Sequence, residues 1–329
     1  MTTTPSSRRE RLAEALAAGP VVLDGGLATE LEAAGHDLSG RLWSAGVLLA
    51  APDDVVAAHR RFVTAGAQVI TTASYQLSAD GLAAAGHDPA RAPDLLRASV
   101  RLAREATAGT AGRWVAGSVG PYGAMLAGGQ EYTGAYADPG APGALDEAAL
   151  AAWHRPRLEA LAEAGVDVLA CETVPAAAEA RALLGELARL DVPAWLSLTA
   201  VTAPDGSVHT RLGEPVGPVL ALAAAVPQVL AVGVNCTDPD GVLAAVEVAA
   251  RSSGKPVVAY PNSGETWDAA GRRWRGFPGG FPGGFPGGVV AGWVGAGARL
   301  VGGCCRVGPE RIAAVARAVS ACPTPPGPR

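Results

Sequence analysis

Lysine is almost missing from this chain: of 329 residues, Lys255 is the only one. A barrel lyase or aldolase working through a Schiff base needs a lysine at the outlet of its strands. Lys255 precedes an apolar run instead of following one, so it stands at the wrong end for that chemistry. Other features are absent too. No run of eighteen apolar residues offers a transmembrane helix. There is no long basic block and the formal net charge is −5, which argues against nucleic acid and anionic membranes as partners. The N-terminal MTTTPSSRRERLAEALAAGP lacks the apolar core of a signal peptide. Five cysteines are an odd number in a large chain, so the disulfide framework of a small secreted protein is not expected, and a reducing cytoplasm is. Neither CxxC…CxxC nor HExxH occurs. The first apolar run is followed by DGGLATE, which does not fit the GxGxxG of a dinucleotide-binding fold.

Hydrophobic residues, at 49%, are ample for a core, and the length allows one large barrel or two ordinary domains. Eight short apolar runs recur: Val21–Gly26, Val69–Tyr75, Trp114–Gly120, Val166–Thr173, Ala194–Ala200, Val229–Cys236, Pro256–Pro261 and Ala298–Cys304. Each is nearly continuous in apolar character, as strands buried on both faces are. Helical patterns lie between them, over Leu31–Gly35, Asp53–Ala65, Leu95–Ala108, Leu145–Ala164, Glu179–Leu190, Pro218–Ala225 and Gly241–Arg251. VVAGWVGAGA remains for the seventh gap. Alternation of eight strands with helices predicts an α/β (β/α)8 TIM barrel; a doubly wound sheet is the alternative. The long connections Pro121–Ala144, Val201–Gly217 and Asn262–Gly288 all follow strands, which places them at the C-terminal mouth, where barrel enzymes keep their chemistry. Residues 1–321 read as one barrel domain and 322–329 as a disordered tail. The repeat FPGGFPGGFPGG, Phe277–Gly288, cannot continue a helix because each unit holds Pro and two Gly; it is an expanded loop or a lid.

Three thiols stand at strand ends. Cys236 closes VLAVGVNCT, and Cys304 and Cys305 follow a glycine pair in ARLVGGCCRVGPE. Sulfurs converging at a barrel mouth suit a soft metal, zinc above all. Adjacent residues of a regular strand point to opposite faces. Cys304 and Cys305 share a metal only if the strand has ended, and Gly302 and Gly303 permit that turn. The plain alternative is three buried structural cysteines, the role expected of Cys171 and of Cys322. Cys171 adjoins Glu172 in LACETVP, so the two point opposite ways and Glu172 is the one expected in the lumen. Asp24, ending VVLDGG, and Glu172 are charged residues closing apolar runs. An unpaired charge is costly there, so a ligand role competes with a helix cap. Two anions beside the thiols would suit a cationic group such as an amino-acid ammonium. Tyr75, Ser118, Thr199, Asn235 and Asn262 add polar groups at strand ends. The histidines His36, His59, His87, His154 and His209 show no ligand spacing, and most are expected at the surface.

The motifs DGGLATELE, TASYQ, SVGPYGA, HRPR, CETVP, GVNCT, YPNSGE and ARLVGGCC, in that order, resemble the zinc-dependent homocysteine S-methyltransferases, in the branch that uses S-methylmethionine. The likeness runs from Val21 to Ile312. It implies a (β/α)8 barrel with one Zn2+ per chain held by Cys236, Cys304 and Cys305, which are also the catalytic set. It implies that Asp24 and Glu172 hold the amino-acid end of homocysteine with backbone N–H groups near Gly25 and Gly26, and that Asn235 supports the metal loop. The implied partners are small molecules, homocysteine and a sulfonium methyl donor, acting on a cytoplasmic monomer or weak oligomer. S-adenosylmethionine or betaine as donor, selenohomocysteine as acceptor, and a non-catalytic zinc or thiol-storage barrel are the alternatives. The family carries a longer helical segment before the GGCC strand, where this chain has FPGG repeats.

Overall fold

The computed structural model describes residues 5–268, 273–275, 285 and 287–322. Eight parallel strands form one sheet. They are β1 (Val21–Val22), β2 (Val69–Thr71), β3 (Trp114–Val119), β4 (Val168–Val174), β5 (Ala194–Leu198), β6 (Val229–Asn235), β7 (Val257–Tyr260) and β8 (Ala298–Val301). From β2 onward each pairs with the next, and β8 pairs back onto β1 with Val21 opposite Leu300. The remaining seam closes where Leu23 bridges Val69 in parallel and Gln68 N–H donates to Val22 O at 2.7 Å. The sheet therefore has no free edge, and the barrel expectation holds.

Continuous apolar strands work here because both faces are covered. One set of alternate residues packs outward under the helices: Val22, Ile70, Val115, Leu169, Leu196, Val232 and Val301. The other set fills the lumen: Val21, Leu23, Val69, Ala116, Ala170, Ala231, Val258 and Leu300, with Trp114 and Trp195. A helix at the chain start, Pro5–Ala18, was not read from the sequence. Its Leu12 and Leu16 are buried and belong to the lumen cluster, so this helix plugs the barrel at one end. Lys255 lies at that end, where its Nζ donates to Val226 O and Val229 O.

The helices match the periodic segments within a few residues; the first expected helix, Leu31–Gly35, begins earlier, at Leu27. All three long connections carry elements of their own; in the one after β7, Thr266–Asp268 pairs antiparallel with Arg273–Arg275. The one after β3 holds a short helix, Tyr122–Leu126, and two single turns, Gln130–Tyr132 and Ala135–Ala137; the one after β5 folds into a hairpin, Ala200–Thr202 with Val208–Thr210. Most of the FPGG repeat lies outside the described residues, but Phe285 is buried against Trp293, ring centroids 5.4 Å apart. The tail expected over 322–329 lies outside them from residue 323. Cys322 is partly buried, and its thiol donates to Ala318 O.

His36, His87 and His209 keep some exposure, as expected of most of the histidines, and the other two do not. His59 and His154 are fully buried. His59 lies on the core-facing side of the Pro52–Thr64 helix, and burial lowers its pKa to about 4, so it is neutral there. His154 Nε2 lies 2.8 Å from Glu179 Oε1. A lone histidine in an apolar pattern carries no sequence mark that separates it from a surface one.

Candidate metal centre and active site

The ends of β6 and β8 build the sulfur cluster. β8 stops at Val301, before the glycine pair, so the chain leaves strand geometry before Cys304 and Cys305. The Sγ atoms of Cys236, Cys304 and Cys305 all lie within 4.8 Å of one another, and Cys236 Sγ is 3.9 Å from Cys305 Sγ. Sulfurs sharing a tetrahedral zinc at the usual Zn–S length of about 2.3 Å stand about 3.8 Å apart, so the donor set fits that ion.

The backbone holds this arrangement under strain. Cys236 has φ 46° and Arg306 φ 64°, a left-handed conformation that costs a side chain about 1–2 kcal/mol. Cys236 N–H donates to Tyr260 O, and Thr199 Oγ1 donates to Cys236 O. Cys304 N–H donates to Pro261 O at 2.8 Å, and Cys305 N–H to Asn262 Oδ1 at 3.2 Å. The glycine pair contributes differently from expectation, since neither Gly302 nor Gly303 has positive φ. Both are needed for close approach: a Cβ on Gly303 would meet Val307 at 2.2 Å, and one on Gly302 would meet Asp24 O at 2.7 Å. Gly25 and Gly26 serve the same contact from the β1 side, where added Cβ atoms would meet Val307 O at 2.1 Å and Cys304 O at 2.7 Å. The Gly26 amide donates to Val307 O at 3.0 Å, which takes that N–H out of the ligand-binding role the resemblance implied. Gly25 and Gly26 both line the cavity described below.

The thiols are electrostatically unequal. Hydrogen bonds from Cys304, then Cys305, push the Cys236 thiol well down, while Cys304 and Cys305 are pushed well up. Protein groups alone stabilise one thiolate here and resist the next two. Three thiolates together need a cation between them.

Next to the sulfurs lies a cavity of about 890 Å³, counting its open mouth, walled by the ends of β1, β2, β3, β4, β6, β7 and β8. Asp24 and Glu172 both line it. Asp24 accepts from Thr71 N–H at 2.7 Å and Thr71 Oγ1 at 2.8 Å. Glu172 accepts from Ser118 Oγ and from Tyr260 OH, the latter at 2.9 Å. Burial still dominates, raising Asp24 to about 7 and Glu172 to about 8. The described lining contains no lysine, arginine or histidine, so a cationic ligand is what the carboxylates lack. Cys171 points the other way, into the outer core, as its neighbour's lumen position requires; burial raises it to about 12, an inert thiol. Among the described residues Asn235 makes no hydrogen bond to a cysteine side chain. Its Oδ1 accepts from Thr173 N–H and Ser197 Oγ, and its Nδ2 donates to Thr173 Oγ1, tying the ends of β4, β5 and β6 together below Cys236.

Sequence reasoning missed Glu131 and Tyr132. Both line the cavity from the loop after β3, and Tyr132 hydrogen bonds to Cys236, lowering its pKa. Their one sequence signal was membership of a long connection following a strand. That loop is held by two buried hubs. Arg157, of HRPR, donates to Tyr75 O, Leu77 O and Gly120 O. Glu179 accepts from Tyr122 N–H and Tyr136 OH, with His154 as its third neighbour.

The family model described as homocysteine S-methyltransferase matches residues 21–319. The homocysteine S-methyltransferase of Escherichia coli strain K12 is 43% identical over 305 residues, covering 90% of this chain and 94% of that protein. A selenocysteine Se-methyltransferase of Brassica oleracea var. italica is 37% identical over 314 residues, 90% and 88% of the two chains. Among solved structures, the homocysteine methyltransferase MmuM of Escherichia coli in its metallated form superposes with a TM-score of 0.76 at 40% identity, covering 91% of this chain and 96% of that one. A methyltransferase from Methanosarcina mazei shares the fold alone, at 13% identity and a TM-score of 0.56.

Proposed function

This chain belongs to the homocysteine S-methyltransferase family, and on that premise we propose that it methylates the sulfur of homocysteine from a sulfonium donor, S-methylmethionine before S-adenosylmethionine, with the quaternary ammonium betaine as the alternative, and with Cys236, Cys304 and Cys305 holding one zinc ion. The observation that carries this reading is the group of three sulfurs within 4.8 Å of one another in the wall of a carboxylate-lined cavity. Zinc bound there would supply Lewis acidity that keeps the acceptor's sulfur as thiolate at neutral pH.

The protein's own groups supply the rest. Asp24 and Glu172 offer negative charge to the acceptor's ammonium, and Thr71, Ser118 and Tyr260 fix the two carboxylates before any ligand arrives. Orientation then makes the transfer effectively unimolecular. The acceptor thiolate attacks the donor methyl in line. A carbon–sulfur bond forms as the donor's own breaks, and the bonding pair stays on the leaving sulfur, which departs as a neutral thioether. The acceptor's thiol proton goes to solvent, and the donor loses none, so no general base is assigned. With S-methylmethionine as donor, both products are methionine.

Residues 1–321 act as one domain in this reading. The enzyme works in the cytoplasm as a monomer or weak oligomer, a setting that five free cysteines fit; among the described residues no helix is long and apolar enough to cross a membrane. The test is zinc content of the reduced protein, wild type and Cys236→Ala, beside methionine formation from homocysteine with each of the three donors. One zinc per chain, lost with activity in the variant, supports the reading and names the donor. Absence of zinc in fully reduced wild-type protein rejects it.

A further inference from the structure

Four carboxylates line the cavity, Asp24, Glu32, Glu131 and Glu172. Glu32 is exposed and pairs with Arg306 at 3.7 Å, and protein donors occupy two of the buried three. Asp24 is held by Thr71, and Glu172 by Ser118 and Tyr260. Glu131 differs. It is 6% exposed and lines the same cavity, yet its Oε2 has no hydrogen-bond partner among the described residues. An unpartnered buried carboxylate oxygen is costly, so something must hold it there.

The loop does. Glu131 sits in the turn Gln130–Tyr132, between Gly129 at φ 81° and Gly134 at φ 69°, both left-handed. Gly123 lets this turn lie against the short helix Tyr122–Leu126, since a Cβ there would meet Glu131 N at 2.6 Å. Glu179 anchors both flanks of the loop through Tyr122 N–H and Tyr136 OH. The surroundings point to a cation. The same cavity wall holds Tyr75, Tyr132, Cys236, Cys304 and Cys305. Glu131 thus shares its cavity with the sulfur cluster, in a described lining without a basic side chain; the Arg211 guanidinium, outside that lining, lies 5.5 Å over the Tyr132 ring.

We propose that Glu131 is the residue that faces the sulfonium of the methyl donor, with the rings of Tyr75 and Tyr132 beside it. A sulfonium has no N–H to donate, so charge and aromatic faces are what recognise it. A carboxylate oxygen left without hydrogen bonds suits such a cation better than the saturated Asp24 and Glu172. The proposal rests on the methyl-transfer reading above and assigns the half of the cavity that reading left open. It also fixes the kinetic signature. Methyl transfer extinguishes the sulfonium charge, so a carboxylate facing it stabilises the bound donor more than the transition state. Its loss then raises KM for the donor and leaves kcat unchanged or higher.

The experiment is Glu131→Gln, an isosteric change, with Glu131→Asp as the charge-keeping comparison. Zinc content and thermal midpoint are measured first, then KM for donor and acceptor separately, then calorimetric binding of the donor alone. The expected result is a donor KM raised about tenfold or more, an unchanged acceptor KM, unchanged zinc, and partial recovery with Asp. A sulfonium donor lacking the amino group should lose the same factor. The proposal is overturned if donor and acceptor KM rise together, if neither moves, or if only donors with an amino group are affected. Should Glu131→Gln not fold, Glu131→Asp and the calorimetric arm decide on the same criteria. Failure of the parent reading shows separately, as wild-type protein without zinc or methyl transfer.

Discussion

The two ends of the barrel lumen are built from the same strands and obey opposite rules. At the plugged end, Leu12, Leu16, Val21, Trp114 and Trp195 fill the space with apolar volume. At the mouth the same alternate positions turn polar, with Ser118, Glu172, Ser197, Asn235 and Tyr260 all nearly excluded from solvent. One end gains stability from burial. The other spends some of it, on two strand-end carboxylates raised to about 7 and about 8 by desolvation and on a cysteine at φ 46°. A site of that kind persists only because the rest of the barrel over-determines it. The division makes a prediction about mutations: changes at the mouth alter ligand and metal binding, and changes at the plug alter stability alone.

The largest effect belongs to the sulfurs. Replacing Cys305 by Ala should cost more than the 10–100-fold that loss of an outer supporting partner costs a metal site, with zinc lost from the reduced protein and methylation lost with it. An enzyme that kept both would place the metal elsewhere. Next is Leu12→Ala at the plug, where the side chain has no exposed surface. A fully buried Leu→Ala costs about 2–5 kcal/mol, read as a lower denaturation midpoint. KM values and zinc content should not move. A parallel fall in kcat would show that the two ends are coupled and break the division.

The sequence's power to reveal the two ends differed in the same way. Strands covered on both faces leave continuous apolar runs, so all eight were visible, as were the charged residues that interrupt them. Asp24 and Glu172 stood out because charge at the end of an apolar run is expensive, and Cys171 was separated from Glu172 by strand alternation alone. Glu131 and Tyr132 were not visible, because a loop has no period and their position depends on Gly129, Gly134 and the distant Glu179. The plug was missed because Pro5–Ala18 shows only Leu12 and Leu16 as described buried positions, too few to distinguish a lumen cap from a frayed leader. Gly302 and Gly303 were read for backbone freedom, whereas the constraint is close contact, of Gly302 with Asp24 beside the adjacent strand and of Gly303 with Val307 four residues on.

A smaller effect sharpens the comparison within the mouth. Asn235 has no hydrogen bond to a cysteine side chain among the described residues but ties Thr173 to Ser197 beneath Cys236. Asn235→Ala should weaken zinc by about 10–100-fold, measured by competition with a chelator, while the chain remains folded. Unchanged affinity would make Asn235 part of the scaffold and move the boundary between the two ends up by one layer.

The subtlest test uses pH. Burial raises Glu172 from 4.5 to about 8. Between those values the unfolded chain has released this proton and the folded chain has not, so rising pH favours unfolding. The stability this group contributes is present below about pH 4.5, declines through the interval, and is gone once pH passes about 8. In metal-free protein, Glu172→Gln should remove that part of the slope, making the variant the more stable form at pH 8 by on the order of 1–2 kcal/mol relative to its standing at pH 6. Denaturant midpoints of both proteins at the two pH values measure it. The apolar plug has no such group, so Leu12→Ala should lower stability by the same amount at both. If Glu172→Gln instead shifts the midpoint equally at both pH values, the hydrogen bonds from Ser118 and Tyr260 outweigh desolvation, and the mouth is less strained than its burial implies.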